Sequence, residues 1–449
     1  MQDLLPITPF TQPVSAIAKV PGSKSITNRA LLLAALNEGP VTLHNALFSE
    51  DVEMMLSALQ ALGITTQASP GDRTIRVEGR GGMIPNAKTD LYVGNAGTVA
   101  RFLTAALALR WGGSYRLDGA EPMRKRPMVG LLEALESFGC TFQWEGSPYC
   151  FPFQVRTQGL RTGVWQVNAE SSSQMLSALL LVASLAEGPV RIQQQGTTVS
   201  KPFVDMTCKM IAAFRRDGEE PDLAPDGYEF RPSPYRVASG SYLVEPDATA
   251  ASYFLSLPIS MGGQVTVEGF FEESALQGDL AYHKVLQEIG LGSHFESDGL
   301  RTVNLSEPLR GGDFDFNAIS DTFLTLAALA PLLQEPTTIR GIAHTRKQET
   351  DRVSAMATEL GKLGQEVEES EDALTIHPDK EALTQAARRG VEIETYEDHR
   401  VAMSFAILGC SDLRGDGETW LAIRNPGCCC KTFPGFFDEL EYLRTSSLS

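Results

Sequence analysis

Residues 21–36 read PGSKSITNRALLLAAL, so a cluster of charged and hydroxyl side chains stands directly before a run of Ala and Leu. Lys24 and Arg29 are cations, and Ser25 can donate or accept a hydrogen bond. The apolar run predicts a helix, whose first turn has unpaired N–H groups and a partial positive charge. Cations and hydroxyls there favour a phosphate or carboxylate ligand. For this stretch alone, a capped helix with solvated charges remains the alternative.

Two further clusters in the first half of the chain could bind an anion, one through backbone N–H groups and the other through cationic side chains. GNAGT at 94–98 places Asn95 between glycines, where the backbone can approach a ligand closely and offer N–H groups. MRKRP at 123–127 groups three cations before a proline. A plain turn and a solvated basic loop are the respective alternatives.

Hydrogen-bonding side chains are concentrated at two more predicted helix starts. SSSQ at 171–174 offers three serines followed by Gln174, of which helix capping needs only one. VSKPF at 199–203 adds Ser200 and a lysine. The surplus of hydroxyls and amides predicts contact with a ligand rich in hydroxyl groups.

The second half of the chain places carboxylates beside cations. Asp321 stands before an apolar run, and TRKQETDR at 345–352 interleaves acidic and basic residues. DHR at 398–400 and CKTFP at 430–434 add further cations. Carboxylates among cations can accept and return a proton. A helix cap for Asp321 and charge pairs on a helix surface for 345–352 are the alternatives.

The elements that position these clusters repeat six times, at a spacing of roughly 75 residues. In each repeat a polar cluster leads into an apolar helix, and these predicted helices follow Ser23, Asn95, Ser171, Ala248, Ser320 and Glu397. Apolar residues at i, i+3, i+4 and i+7 predict a second helix with one buried face. These second helices begin at Asp51, Arg126, Lys201, Gly278, Glu349 and Thr432. Short β-rich pieces such as GPVTLHNAL and QVTVEGF lie between the helices.

This repetition predicts two similar α/β domains of three repeats each. The 449 residues exceed one ordinary hydrophobic core, and the halves meet near residue 244. The first helix of each repeat is apolar nearly all round, so it should lie in a domain interior. We expect the polar N-termini of these helices to form an anion site facing a cleft between the domains.

Composition narrows the classes of partner. A net charge of -18 argues against nucleic acid or an anionic membrane as a partner of the general surface. The sequence has no apolar run long enough to cross a membrane, and its start lacks the features of a signal peptide. Seven cysteines without C-x-x-C spacing indicate free thiols in the reducing cytoplasm. The six histidines are scattered singly, so we expect no metal site.

Eight motifs occur in one order over nearly the whole chain: PGSKSITNRALLLAAL, GNAGT, MRKRP, SSSQ, VSKP, QETDR, EDHR and KTFP. Each motif alone is modest, but the ordered set is specific. It closely resembles the family of 5-enolpyruvylshikimate-3-phosphate synthases, transferases of the shikimate pathway that leads to chorismate and the aromatic amino acids.

The resemblance implies a particular α/β architecture. Each of two similar domains consists of three β-α-β-α-β-β repeats, with buried parallel helices surrounded by sheets in an inside-out α/β barrel. Residues 1–22 and 245–449 would form a discontinuous domain that holds repeats four to six. Residues 23–244 would form the inserted domain with repeats one to three.

The family transfers the enolpyruvyl group of phosphoenolpyruvate to the 5-hydroxyl of shikimate 3-phosphate and releases phosphate. The resemblance therefore implies these two small molecules as substrates, with glyphosate as an inhibitor that competes with phosphoenolpyruvate. It implies no metal and no organic cofactor. We expect a monomer without nucleic-acid or membrane partners.

The resemblance also assigns roles to individual residues. Asp321 would accept the 5-hydroxyl proton, Glu349 would protonate C3, and Lys24 would lie between the substrates and move a proton. The implied shikimate 3-phosphate contacts are Lys24, Ser25, Arg29, Ser172, Ser173, Gln174, Ser200, Asp321, His344 and Gln348. The implied phosphoenolpyruvate contacts are Lys24, Asn95, Gly97, Arg126, Gln174, Arg352, Arg400 and Lys431. His399 would be an outer proton partner.

Four positions depart from the family pattern. Gln348 stands where many members have Lys, and His344 where Asn is frequent. Phe203 replaces a frequent Tyr, and Phe102 a common Pro. These changes bear on substrate affinity and the response to inhibitors more than on the reaction.

Two rival functions fit parts of the pattern. The related enolpyruvyl transferase that acts on UDP-N-acetylglucosamine shares the fold and the donor, but it relies on a mobile-loop Cys and has a different N-terminal signature. A non-catalytic repeat protein that binds anions would have no use for carboxylates in its site, and the presence of both Asp321 and Glu349 argues against it.

Overall fold

The structure, a computed structural model, describes residues 3–196, 200–272, 275–304 and 308–447. Val199, which opens the VSKPF motif, lies outside these ranges. The chain divides into two compact units. We call Gly22–Glu245 the inserted unit, and Met1–Pro21 together with Pro246–Ser449 the discontinuous unit.

The elements are numbered in chain order. The strands are β1 (Leu4–Ile7), β2 (Val14–Ala18), β3 (Glu38–His44), β4 (Thr66–Ser69), β5 (Thr74–Arg80), β6 (Lys88–Tyr92), β7 (Trp111–Asp118), β8 (Thr141–Trp144), β9 (Phe153–Gln158), β10 (Gly163–Asn168), β11 (Val190–Gln195), β12 (Asp222–Ala224), β13 (Gly227–Phe230), β14 (Ser241–Leu243), β15 (Gly263–Glu268), β16 (Gly292–Phe295), β17 (Gly299–Asn304), β18 (Asp313–Asp315), β19 (Thr337–Arg340), β20 (Glu366–Glu369), β21 (Ala373–His377), β22 (Val391–Ile393) and β23 (Leu421–Arg424). The α-helices are α1 (Lys24–Leu36), α2 (Glu50–Ala61), α3 (Gly97–Leu107), α4 (Glu121–Arg124), α5 (Val129–Ser137), α6 (Ser173–Ala183), α7 (Lys201–Phe214), α8 (Ala248–Leu255), α9 (Leu257–Met261), α10 (Tyr282–Glu288), α11 (Phe323–Leu329), α12 (Arg352–Lys362), α13 (Lys380–Arg389), α14 (His399–Gly409) and α15 (Phe436–Ser446). Short 3-10 helices cover Gly278–Ala281, Asn317–Ile319, Ala330–Leu332, Ala343–Lys347 and Pro426–Lys431.

The repeat unit is a small mixed sheet with two helices. In the inserted unit, β6-α3-β7-α5-β8-β9 forms a sheet of order β6-β7-β9-β8, and the elements from β10 to β13 repeat this arrangement. The first two strands are parallel, whereas the closing hairpin is antiparallel. In the discontinuous unit, the elements from β18 to β21 form the same sheet order. The predicted β-α-β-α-β-β repeat is therefore confirmed.

Two repeats take their first strand from a distant part of the chain. In the inserted unit, β14 pairs in parallel with β3, so the end of this unit completes the sheet of its first repeat. In the discontinuous unit, β2 pairs in parallel with β15, and β1 pairs antiparallel with β23. The N-terminal strands thus complete two sheets of the C-terminal half.

The first helix of each repeat is buried on all sides. Eleven of the thirteen residues of α1 are buried, as are all eleven of α3 and all eleven of α14. A helix that is apolar all round is stable only when other elements cover every face. In the inserted unit α3 packs on α6, and in the discontinuous unit α11 packs on α14. The polar first turns of these helices are consequently fixed by rigid cores.

Two helices of the structure were absent from the sequence prediction, the four-residue α4 and the longer α13. α13 lies between repeats five and six, and it is polar except for a narrow buried stripe of Leu383, Ala386 and Ala387. Asp379 caps this helix by accepting a hydrogen bond from Ala382 N at 2.9 Å. Its stripe is too narrow to stand out in the sequence as a helix that packs against the core.

Among the described residues, no helix combines the length and the apolar character needed to cross a membrane. None of the seven cysteines, all of which lie within the described residues, forms a disulfide.

Candidate functional site

In the discontinuous unit, Asp321 bridges two arginines. Its Oδ1 accepts a hydrogen bond from Arg352 Nη1 at 2.9 Å, and its Oδ2 accepts one from Arg400 Nη2 at 2.7 Å. Thr322, not Asp321, occupies the N-cap position of α11. The helix-cap interpretation of Asp321 is therefore wrong, because its carboxylate is engaged by the guanidinium groups.

Arg352 is the centre of this ion-pair network. Its side chain is only 2% exposed at the start of α12, and its Nε donates to Asp398 Oδ2 at 2.7 Å. Its Nη2 donates to Glu349 Oε2 at 2.9 Å, and its Nη1 also donates to Gln348 Oε1. Burial alone would lower the pKa of Arg352, but the surrounding carboxylates outweigh it and raise the pKa above its usual value.

Arg400 lies in the first turn of α14. Asp398 caps this helix by accepting from Arg400 N at 2.9 Å, so one carboxylate orients both arginine-bearing helix starts. Burial opposes the charge of Arg400, yet Asp321 and other acids hold its pKa well above the usual value. Both guanidinium groups are thus fixed as cations in a desolvated setting.

Glu349 connects this pair of arginines to a lysine. Lys431, at the end of the 3-10 helix Pro426–Lys431, donates to Glu349 Oε1 at 2.8 Å. The order of ion pairs is then Lys431, Glu349, Arg352, Asp321 and Arg400. The structure brings together five predicted site residues that are separated by up to 110 positions, the difference between 431 and 321.

The network has consequences for binding an anion. Three cations meet three carboxylates, and the exposure of the six side chains runs from 0% to 17%. A phosphate or carboxylate ligand must compete with Asp321 or Glu349 for the guanidinium and ammonium groups. A carboxylate so displaced would remain beside the ligand, where it can exchange a proton.

Two histidines flank the network. His344 Nε2 lies 2.8 Å from Ser320 Oγ, next to Asp321, and burial lowers the pKa of His344 although Asp321 opposes this effect. His399 Nδ1 is 3.8 Å from Asp398 Oδ1, and the side chain is 1% exposed. His344 is accordingly placed as a neutral hydrogen-bonding group at neutral pH.

Behind the network lies a buried acid that the sequence analysis did not single out. Asp279 is 5% exposed and accepts a hydrogen bond from Thr249 Oγ1 in α8. Burial, and next the charge of Asp321, raise the pKa of Asp279 to about 7. Asp247 caps α8 through Ala250 N at 2.9 Å.

In the inserted unit, the predicted acid-base lysine has an acidic neighbour. Lys24 begins α1, and its Nζ lies 3.5 Å from Asp51 Oδ2 in α2. Both side chains are largely buried, at 14% and 7% exposure. Asp51 therefore helps to hold the lysine, although nothing in the sequence distinguished it from an ordinary first-turn acid.

Arg29, one turn further along α1, is buried in a polar cage. Its Nε donates to Thr207 Oγ1 at 2.7 Å and its Nη1 to Ser25 O at 3.0 Å. Its Nη2 contacts Ser177 Oγ at 3.4 Å and Phe203 O at 3.3 Å. Burial lowers the pKa of Arg29 to about 9.

The start of α3 gathers two arginines around a glycine. Arg126 Nη1 donates to Asn95 O at 3.4 Å, and Arg101 Nη2 donates to Pro127 O at 2.7 Å. A Cβ atom on Gly97 would lie 3.0 Å from both Arg101 Nη1 and Arg126 Nη2. Burial, together with the charge of Arg126, lowers the pKa of Arg101 well below its usual value. Excess positive charge at a helix start favours an anionic ligand.

The starts of α6 and α7 carry the remaining predicted contacts. Ser172 caps α6 by accepting from Gln174 N at 3.3 Å, and Ser173 is 5% exposed. Within the described residues Gln174 Oε1 is buried without a hydrogen-bond partner, as is Asn95 Oδ1. Ser200 has a left-handed backbone with φ of 52° before α7. Buried acceptors without a partner are costly, which favours a ligand donor for each.

Sequence reasoning missed several residues of these clusters. Asp398 stood inside the DHR motif, and its position before two cations was an available signal. Arg101 was also detectable, because it interrupts a fully apolar helix. Ser177, Thr207 and Asp279 had no such signal, since their roles come from packing between repeats.

In the described part of the chain, no cluster of three or more His, Cys, Asp or Glu side chains is arranged to hold a metal ion.

Comparison with known proteins assigns the family. The model of the EPSP synthase family (3-phosphoshikimate 1-carboxyvinyltransferase) matches residues 10–440. A 3-phosphoshikimate 1-carboxyvinyltransferase of Opitutus terrae is 48% identical over 452 residues, which cover 100% of this chain and 99% of that protein. One from Nostoc punctiforme is 43% identical over 97% of this chain and 98% of that protein.

Solved structures support the same fold at lower identity. EPSP synthase from Acinetobacter baumannii aligns over 98% of both chains with a TM-score of 0.77 and 21% identity. The enolpyruvyl transferase NikO from Streptomyces tendae aligns over 98% of this chain and 97% of that chain, with a TM-score of 0.71 and 17% identity. From the family model and the near full-length relatives, this chain belongs to the EPSP synthase (3-phosphoshikimate 1-carboxyvinyltransferase) family.

Proposed function

We propose that this chain transfers the enolpyruvyl group of phosphoenolpyruvate to the 5-hydroxyl of shikimate 3-phosphate and releases phosphate. The observation that carries the proposal is the ion-pair network around Arg352. Asp321 accepts hydrogen bonds from Arg352 and Arg400, and Glu349 accepts them from Arg352 and Lys431. Both substrates are anions, and the reaction needs proton exchange next to bound anions. This network combines the two requirements in one rigid cluster.

The first chemical step is an addition. The 5-oxygen of shikimate 3-phosphate forms a bond to C2 of phosphoenolpyruvate, while C3 gains a proton. Asp321 accepts the hydroxyl proton. Glu349 supplies the proton to C3 in its protonated form, after the substrate anion has displaced it from Lys431 and Arg352. In the second step C3 loses a proton and the bond from C2 to the phosphate oxygen breaks. Phosphate leaves with the bonding electrons, and the enol ether remains.

Cations stabilise the negative charge throughout these steps. Arg352, Arg400 and Lys431 are proposed to bind phosphoenolpyruvate, and each is already held in place by an ion pair with a partly buried carboxylate. Preorganised charges of this kind need no reorganisation when negative charge develops on the leaving phosphate. Arg126, with Asn95 and Gly97 at the start of α3, is proposed to contribute further donors to the same substrate.

Shikimate 3-phosphate is proposed to bind through hydroxyls, amides and a second set of cations. Ser172, Ser173, Gln174 and Ser200 lie at the starts of α6 and α7. Lys24, Ser25 and Arg29 belong to α1. Lys24 is also proposed to move a proton. His344 and Gln348 are proposed to complete the contacts with shikimate 3-phosphate.

Glyphosate is proposed to compete with phosphoenolpyruvate, because it carries a phosphonate and a carboxylate for the same cations. That the protein is a monomer and lies in the cytoplasm stays a prediction from the sequence.

The experiment is a phosphate-release assay on purified protein. We expect phosphate only when shikimate 3-phosphate and phosphoenolpyruvate are both present, and an enol ether product in stoichiometric amount by mass spectrometry. UDP-N-acetylglucosamine in place of shikimate 3-phosphate serves as the matched control. Release with this sugar nucleotide, or with phosphoenolpyruvate alone, would contradict the proposal.

A further inference from the structure

We propose that Phe102 and Phe203 are positioning residues that hold the guanidinium of Arg29 through their aromatic faces. They would thereby set the affinity for shikimate 3-phosphate, the carboxylate-bearing substrate that accepts the enolpyruvyl group. The inference rests on the proposed function, because it takes shikimate 3-phosphate as the ligand of the Arg29 cluster. It concerns two positions that depart from the family pattern: the frequent Tyr at position 203 would keep an aromatic face, whereas the common Pro at position 102 would not.

Arg29 is a buried cation whose partners in the described part of the chain are neutral. Its side chain is 1% exposed, and its partners are two hydroxyls and two carbonyl oxygens. Among the residues that the structure describes, no carboxylate lies within ion-pair distance of it. An unpaired buried charge is costly, so other groups must stabilise the guanidinium.

The two aromatic rings are placed to do this. Arg29 Cζ is 5.0 Å from the centroid of the Phe102 ring and 6.0 Å from that of Phe203. Both distances fall within the range of cation–π attraction, which grows when the pair is removed from water. Leucine would fill much of the same volume but has no electron-rich face.

Hydrogen bonds leave Arg29 with little freedom and few spare donors. A guanidinium has five N–H donors, and four of them have partners in the cage. One N–H on Nη1 and the positive charge remain for a ligand. A single N–H can orient a ligand only if the guanidinium plane keeps its direction. The hydrogen bonds hold the group within its plane, and the two aromatic faces restrict tilting of that plane.

The cage also links four helices of the inserted unit. Ser25 belongs to α1, Ser177 to α6, and Phe203 with Thr207 to α7. Thr207 Oγ1 lies 3.1 Å from Ser177 Oγ, which joins α6 and α7 next to Arg29. Phe102 adds α3, which Asn28 also binds by donating to Thr98 Oγ1 at 3.1 Å. Movement of Arg29 would therefore disturb the helix starts that carry the proposed acceptor contacts.

The direct test measures shikimate 3-phosphate binding by calorimetry, without phosphoenolpyruvate. Phe102→Leu should raise its dissociation constant about threefold to thirtyfold. Phe203→Leu should have a smaller effect, since its ring is farther from Arg29. Phe203→Tyr keeps an aromatic face and should restore most of the affinity that Phe203→Leu loses. KM for phosphoenolpyruvate, at saturating acceptor, should change less than twofold in both leucine variants.

Phe214→Leu is the matched control, because Phe214 is a fully buried aromatic residue of α7, the helix that carries Phe203, and its ring packs at a tilt against Tyr242. It should lower thermal stability without changing acceptor affinity. If Phe102→Leu binds shikimate 3-phosphate like the wild type, or if it weakens both substrates equally, the positioning role is overturned. Should Phe102→Leu not fold, the comparison of Phe203→Leu with Phe203→Tyr decides the matter. Failure of the wild type itself to bind shikimate 3-phosphate would instead contradict the proposed function.

Discussion

Each carboxylate oxygen of Asp321 accepts a hydrogen bond from a different arginine, Arg352 or Arg400. Asp321 is therefore an acid-base candidate between two positively charged groups. Any proton that it accepts must be taken up beside two guanidinium groups. Departure of the neutralised carboxyl from the arginines would leave their charges available to the anionic substrate. Proton acceptance and anion binding are thereby linked at one side chain.

The first prediction replaces this residue by its neutral analogue. Asp321→Asn keeps the size and the hydrogen-bonding capacity, but it removes the proton acceptor, so kcat should fall by roughly 100-fold or more. KM for phosphoenolpyruvate should not rise, because Arg352 and Arg400 lose a competing carboxylate. Steady-state kinetics with both substrates varied checks this. Asp315→Asn, an exposed acid on β18, is the control, and near-normal turnover of Asp321→Asn would disprove the catalytic role.

The second prediction concerns Gln348, whose side-chain oxygen accepts from Arg352. Gln348→Lys removes this acceptor and adds a cation beside the proposed phosphoenolpyruvate site. A donor that carries charge binds an anion about twice as strongly as a neutral one. The inhibition constant of glyphosate and KM for phosphoenolpyruvate should therefore both fall. Gln348→Met is the uncharged control, and equal inhibition constants for the Lys and Met variants would contradict the argument.

At the scale of elements, the six apolar helices present polar first turns, and at the starts of α8 and α14 a neighbouring acid contributes to the charge of that turn. The start of α8 is the clearest case, since Asp279 lies against Thr249 and near Asp321 with a pKa raised from 3.8 to about 7. Between these values the folded protein binds more protons than the unfolded chain. The free energy of unfolding therefore falls as pH rises from about 4 to about 7.

The third prediction follows from this sign. Asp279→Asn keeps an acceptor for the Thr249 hydroxyl and abolishes the cost of ionisation. The variant should melt roughly 2–6 °C higher than the wild type at pH 8, and the difference should vanish near pH 4. Scanning calorimetry at both pH values measures it. Asp298→Asn, at an exposed position, should show no such pH-dependent difference, and a destabilised Asp279→Asn at pH 8 would refute the assignment.

The elements also show how far the sequence could lead. All twelve helices expected from apolar periodicity are present, because a fully buried or half-buried helix leaves a strong local pattern. The pairing of β2 with β15 and of β14 with β3 left no local pattern, since it depends on contacts between distant segments. The sequence identified Asp321, Arg352 and Arg400 as site residues. It could not show that the two arginines bind Asp321, because that contact also joins distant segments.

At the scale of the whole molecule, the N-terminal segment belongs to the discontinuous unit although it precedes the inserted unit in the chain. β1 pairs with β23, and Ile7 packs on the helix that carries Arg400. Ile7 is 4% exposed, and a Cβ atom at Gly409 would lie 3.0 Å from Ile7 Cβ. Glycine at position 409 therefore permits β1 to approach α14 closely.

The last prediction uses this contact to test the division of the chain. Ile7→Ala should cost about 2–4 kcal/mol, because it deletes buried methyl groups between a strand and a helix. Hydrogen exchange followed by mass spectrometry should show faster exchange in β22, β23 and α14, but unchanged exchange in peptides from residues 22–245. Val41→Ala, which removes a fully buried side chain of β3, should give the opposite distribution. Since each unit has its own buried helices, local destabilisation should stay within the unit that contains the substitution. Faster exchange across both units in the Ile7→Ala variant would show that the N-terminal segment does not belong to one unit alone.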